Sequence, residues 1–126
     1  VSQGAIKTLY GKNNLTGQIT LGASAKILSG IFSGTTSDSL NLGTIATSSP
    51  YALTIFTNVG TKAKGVISGS GSLIKEGLDT LLLSAANTFT GSTKVTSGSL
   101  LAGIDNALLT GSEFIFNGGT YSSGGY

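Results

Sequence analysis

Residues 69–103 read Gly69-Ser-Gly-Ser-Leu-Ile-Lys-Glu-Gly-Leu-Asp-Thr-Leu-Leu-Leu-Ser-Ala-Ala-Asn-Thr-Phe-Thr-Gly-Ser-Thr-Lys-Val-Thr-Ser-Gly-Ser-Leu-Leu-Ala-Gly103. Short apolar or β-branched runs (Leu73-Ile74, Leu81-Leu82-Leu83, Lys94-Val95-Thr96 and Leu100-Leu101) alternate with turn residues. Gly69, Gly71, Gly77, Gly91, Gly98 and Gly103 punctuate them. Glycines this close leave no room for a helix, since each inside a helix costs ~1 kcal/mol relative to Ala. Many short strands with no helical linker indicate an all-β architecture. Their even spacing indicates a coil repeated along an axis.

The stretch resembles the autotransporter-associated β-strand repeat of bacterial passenger domains. That pattern runs Gly-x-Gly-x-Leu-x-Lys-x-Gly, Thr-Leu-x-Leu, Ala-Asn-Thr-Tyr-Thr-Gly-x-Thr-x-Val and Gly-x-Leu. Gly69, Gly71, Leu73, Lys75 and Gly77 match the first part, and Thr80, Leu81 and Leu83 the second. Ala86, Asn87, Thr88, Thr90, Gly91, Thr93, Val95, Gly98 and Leu100 match the rest. Phe89 replaces the commoner Tyr, and Leu78-Asp79 departs from the usual turn. The best match spans 65–103. The resemblance implies a right-handed parallel β-helix on or outside a bacterial cell, and no particular activity. Its partners would be neighbouring coils, identical chains, a translocation barrel of the same polypeptide in the outer membrane, and a host-surface or matrix ligand of unspecified chemistry.

Working outward, the chain has 126 residues, and the expectation is one β-helical domain over 1–126 with five to six coils. Charged residues are 10%, against about 25% in an average domain. Gly and Pro together, 20 and 1, stay near one sixth, below the range of low-complexity disorder, and the 39% hydrophobic content supports a core. The chain lacks Cys, His, Trp, Met and Arg. No disulfide or thiolate metal site can form without Cys. Seven scattered Lys against five acids argue against nucleic-acid binding. The chain starts at Val1 with no initiator Met and no signal peptide, as expected of a processed product or an excised piece.

Upstream, Asn14-Leu-Thr-Gly-Gln-Ile-Thr-Leu is a degenerate echo of Asn87-Thr-Phe-Thr-Gly-Ser-Thr-Lys-Val. The offset between Gly17 and Gly91 fits a few coils of roughly 20 to 25 residues. Gly34-Thr-Thr-Ser-Asp-Ser39 reads as a loop; Ile45 to Pro50 is small and polar, and Pro50 marks a loop or a coil corner. Tyr51-Ala-Leu-Thr-Ile-Phe-Thr57 is the clearest isolated strand, with Leu53 and Ile55 on one face and Thr54 and Phe56 on the other. Downstream, Ile104 to Leu109 suits a short turn or strand, and Glu113 to Tyr121 closes the pattern, with Phe114 and Phe116 on one face. The expected inward residues are Leu53, Leu73, Leu81, Leu83, Val95, Leu100 and Ile115, with Thr, Ser and Asn ladders outside or in the turns.

Chemistry is thinly represented. Without His the usual general base and the Ser-His-Asp triad are missing, and no Gly-x-Ser-x-Gly occurs. Gly69-Ser-Gly-Ser-Leu-Ile has Ile74 where a dinucleotide-binding loop needs its third Gly. Asp38, Glu76, Asp79, Asp105 and Glu113 are the acids. Glycoside hydrolysis needs two carboxyls about 5 to 10 Å apart, so a β-helix could in principle assemble them, but solvated turn charges are the simpler reading. No Asp-rich calcium loop is present. Asn87 and Thr88 suit a binding loop or, more simply, a coil corner bonded to backbone. Tyr10, Tyr51, Phe89, Tyr121 and Tyr126 could stack on sugars or serve packing, and Asn14-Leu-Thr16 has the pattern of a glycosylation sequon.

The expectation is therefore a non-catalytic structural or adhesive module of an extracellular or cell-surface protein, without cofactor or metal. Its structural turn positions are Gly69, Gly71, Gly77, Asn87, Gly91, Gly98 and Gly103. The alternative is an extracellular fibre subunit stacking end to end through unpaired strand edges. A β-helical polysaccharide lyase or hydrolase fits less well, given the scarce acids and missing Arg and His. An ice-binding face would need a strict Thr-x-Thr period that is absent.

Overall fold

A computed structural model describes residues 6–8, 12–29, 39–58, 60–105, 107 and 113–122. It is a parallel β-solenoid. The strands are β1 (Ile6–Thr8), β2 (Lys12–Leu15), β3 (Ile19–Thr20), β4 (Ala25–Ser29), β5 (Ser39–Leu42), β6 (Ile45–Thr47), β7 (Ala52–Thr57) and β8 (Gly60–Ala63). They continue as β9 (Ile67–Gly69), β10 (Ser72–Glu76), β11 (Thr80–Leu83), β12 (Thr93–Val95), β13 (Ser99–Ala102), β14 (Phe114–Phe116) and β15 (Thr120–Ser122). One long face stacks β1-β4-β7-β10-β12-β14, the second β2-β5-β8-β11-β13-β15, and the third β3-β6-β9. We call these faces A, B and C.

The solenoid makes about four turns, slightly fewer than the five to six coils expected. Among the described residues six strands stack on each of faces A and B and three on face C. The coil length is not constant. Leu73 pairs with Leu53 and Thr93, an offset of 20, whereas Ile27 pairs with Ile55, an offset of 28. The long offsets are those of the pairs β4–β7 and β2–β5, within which register is unbroken.

Strand alternation sends every second side chain inward. On face A the inward columns are Ala25, Leu53, Leu73, Thr93 and Phe114, and Ile27, Ile55, Lys75, Val95 and Phe116. On face B they are Leu40, Thr61, Leu81, Leu100 and Tyr121, and Leu42, Ala63, Leu83 and Ala102. Ile45 and Ile67 supply the third wall. Leu53, Leu81, Leu83, Leu100 and Val95 are wholly buried. Burying each such side chain contributes about 1.5–3 kcal/mol.

Three sequence expectations need correction. Ile115 points outward, in register with Lys94, and its neighbours Phe114 and Phe116 take the inward positions. The parity of a three-residue strand is set by its pairing, and hydrophobicity alone does not resolve it. Threonines also enter the core: Thr47, Thr57, Thr61 and Thr93 are buried. Thr57 Oγ1 donates to the carbonyls of Glu76 (3.3 Å) and Asp79 (3.0 Å), and Thr47 Oγ1 to that of Ser68 (2.9 Å), so these two hydroxyls are satisfied, whereas Thr93 Oγ1 has no partner among the described residues. The small, polar run from Ile45 yields strand β6, whose Ile45 fills the core below Ile67, and Pro50 stands in a turn as expected. Finally, the echo around Asn14 does not occupy equivalent positions. Asn14 lies in β2 on face B, whereas Asn87 lies on the third side. The polar stretch 34–38, Tyr10, Asp38 and Tyr126 lie outside the described residues.

Candidate functional site

The corner between faces A and B is the most specified part of the coil. Gly77 and Gly98 follow β10 and β12 with φ of +86° and +67°. A Cβ on Gly77 would stand 2.2 Å from the Thr57 carbonyl oxygen of the coil below, so this corner needs glycine for both its backbone angle and its space. Gly69 ends β9 over Thr47, and Gly71 abuts the Thr47 side chain just before β10. Gly91 stacks directly on Gly71, and Gly103 lies against Leu82.

Lys75 gives this corner its polarity. It occupies the inward column of Ile27, Ile55 and Val95 and is wholly buried. Its Nζ donates to the carbonyls of Glu76 (2.7 Å), Gly77 (3.0 Å) and Ser97 (3.2 Å). All three ammonium donors are used, and the third bond ties the corner to the next coil. Burial pushes the Lys75 pKa down from 10.5 to about 8, with the charges of Asp79 and Glu76 opposing the shift. The sequence reading aligned Lys75 with the motif but assigned it no role. The signal was its parity: Leu73, Lys75 and Gly77 alternate, so a lysine two residues after an inward leucine must also point inward.

On the third side, Asn87 continues face C where the strands stop. Its Oδ1 accepts the Ile67 N–H at 2.8 Å, and its Nδ2 donates to the Ala107 carbonyl at 2.7 Å. One buried amide therefore bridges the coil below and the coil above. The Thr88 and Phe89 N–H groups bond the Ile67 carbonyl, and Phe89 is buried in the core.

The four described acids do not converge. Glu76 points out from face A and pairs with Lys26 at 2.8 Å, the Lys26 Nζ also lying 5.3 Å from the Phe56 ring centre. Asp79 Oδ1 accepts the Thr80 N–H at 2.7 Å. Asp105 and Glu113 are exposed. Among the described residues no three His, Cys, Asp or Glu side chains gather as a metal site would require, and no helix is long and apolar enough to cross a membrane. Of the aromatics, Tyr51 is half-buried, and Tyr121 packs on Phe114 with ring centres 5.3 Å apart. Asn14 Oδ1 accepts a bond from Asn41 Nδ2 at 2.6 Å.

This stacked arrangement of corner glycines, inward lysine and bridging asparagine can hold coils together and present long outer faces. Comparison with known proteins agrees with it. Residues 73–102 match the family described as passenger-associated transport repeat. The adhesin BmaC autotransporter of Brucella suis biovar 1 (strain 1330) is 44% identical over 59 residues, 45% of this chain and 2% of that protein. The chain thus spans a very small part of that relative's length. No solved structure gives a significant match. Residues 73–102, about one and a half coils of the solenoid, are thus similar to an autotransporter-passenger β-repeat.

Proposed function

We propose that the chain is a non-catalytic structural and adhesive segment of a bacterial surface or secreted passenger. The observation that supports this best is the unbroken parallel register from β7 through β13, which makes a stiff stack with two continuous outer faces. The repeat match and the adhesin relative support the same reading. Gly69, Gly71, Gly77, Asn87, Gly91, Gly98 and Gly103 then serve coil geometry and do not contact a ligand. Each coil contacts mainly its neighbours, so folding can propagate from one to the next. In a passenger leaving through an outer-membrane barrel, each emerging coil would template the following one.

The test is surface display of the passenger that contains this segment, wild type against Gly77→Val. Protease-resistant surface exposure and attachment to host cells are expected for wild type and lost in the variant. Equal display and attachment by both would overturn the reading.

End-to-end stacking is a second reading, favoured by the last described coil. Phe116 and Tyr121, which take inward positions, are 49% and 37% exposed there. Sedimentation velocity checks it: concentration-dependent association abolished by Phe116→Lys supports stacking, and a monomer at every concentration rules it out.

A further inference from the structure

Face B carries a groove that the scaffold reading leaves unused. An open cavity of about 560 Å³ lies over β8, β11 and β13, lined in part by Asn41, Lys62, Leu82 and Leu101. A second, of about 320 Å³, continues past Asn41 to Asn14 and Lys64. Asn14, Asn41, Lys62, Leu82 and Leu101 form one outward column along the solenoid axis. Among the described residues no carboxylate lines either cavity. Lys62 and Lys64 have no ion-pair partner among the described residues, in contrast to Lys26 on face A, which Glu76 neutralises.

We infer that this groove binds a linear acidic polysaccharide, running along the axis of the coils. The inference rests on the adhesive reading and gives it a ligand class. Three features select the class. Two unpaired ammonium groups without a facing acid favour an anion. Leu82 and Leu101 offer an apolar strip to the C–H faces of sugar rings, with the Asn14 and Asn41 amides beside it for hydroxyls. The repeat of ~4.8 Å between coils is close to the rise of one sugar unit, so successive coils meet successive units. An extended peptide would instead seek a free strand edge, and β5, β8, β11 and β13 are each paired on both sides. Asp79, next to the groove residue Thr80, marks the margin where an anion is repelled.

The test is retention of the full chain on immobilised heparin, on neutral dextran and on polyglutamate, with circular dichroism as a folding check. We expect salt-sensitive retention on heparin alone. Lys62→Ala/Lys64→Ala should weaken it about tenfold, from two surface charge contacts of up to ~1 kcal/mol each. Leu82→Glu should weaken it at least as much, and Lys26→Ala/Lys94→Ala on face A should leave it unchanged. Equal loss from both lysine pairs, equal retention on polyglutamate, or no retention above dextran would overturn the inference. Host-cell attachment by beads bearing the chain separates the two readings. Attachment without heparin retention sinks only the groove, and heparin retention without attachment sinks only the adhesive reading.

Discussion

The coils built by β10–β13 and the last described coil, β14–β15, have the same strand alternation and the same pairing register, yet opposite burial. Leu81 and Leu100 are wholly buried, whereas Tyr121, next in their column, is 37% exposed. Val95 is buried and Phe116, above it, is 49% exposed. The difference lies in the neighbours. Each inner coil is covered on both sides, and among the described residues the last is covered on one. In a solenoid a residue's burial is conferred by the next coil as much as by its own inward direction.

The sharpest way to break the symmetry is at the shared corner. Gly77→Ala should destabilise by about 4 kcal/mol, combining positive-φ strain with a backbone clash at 2.2 Å. Gly118→Ala should cost about half as much, since its Cβ meets only the Thr96 carbonyl at 2.9 Å although φ is +108°. Urea denaturation of both variants gives the ratio, and equal losses would refute the assignment of the larger cost to the closer backbone contact at Gly77.

Side-chain truncation in one column is next. Leu81→Ala should cost about 3 kcal/mol, as a cavity between covered coils. Tyr121→Ala should cost under about 1 kcal/mol, since much of its surface is already in water. If a further coil or a second molecule covers β15, the Tyr121 loss rises toward the Leu81 value, which makes the pair a readout for stacking.

Lys75→Met removes the donor shared by three carbonyls and should cost about 2 kcal/mol at pH 7. Its pH dependence has a definite sign. The folded-state pKa, about 8, lies below the unfolded 10.5, so between these values the unfolded chain holds more protons at this site. Stability contributed by Lys75 therefore rises with pH from about 8 to 10.5, and the full burial penalty is present below 8. The deficit of Lys75→Met relative to wild type should widen over that window. A deficit that narrows would mean the buried ammonium is held more strongly than its desolvation suggests.

The smallest effect belongs to the outer surface. Lys26→Ala breaks an ion pair whose side chains are 32% and 33% exposed, and should cost under about 1 kcal/mol. Raising the salt concentration should erase most of that difference between variant and wild type.

Legibility followed the same division. Glycine spacing, strand alternation at Leu53 and Ile55, and the motif from Gly69 to Gly103 were readable as a coiled all-β chain, because period two and turn chemistry are local. The candidate groove was not readable. Asn14, Asn41, Lys62, Leu82 and Leu101 are scattered along the sequence, and only stacking by coils of unequal length brings them into one column.

By itself, then, the sequence determined that this chain makes short strands joined by glycine corners and winds as a solenoid. Helix nucleation fails between such closely spaced glycines, and each strand's alternation is written in its own residues. Tertiary structure decided the rest: that Lys75 caps three carbonyls inside the core, that Asn87 bridges two coils, that Ile115 faces out while Phe116 faces in, and which lysines have no ion-pair partner among the described residues. Those outcomes depend on interstrand register, and a one-residue slip would reverse every one of the strand parities without changing a single local preference.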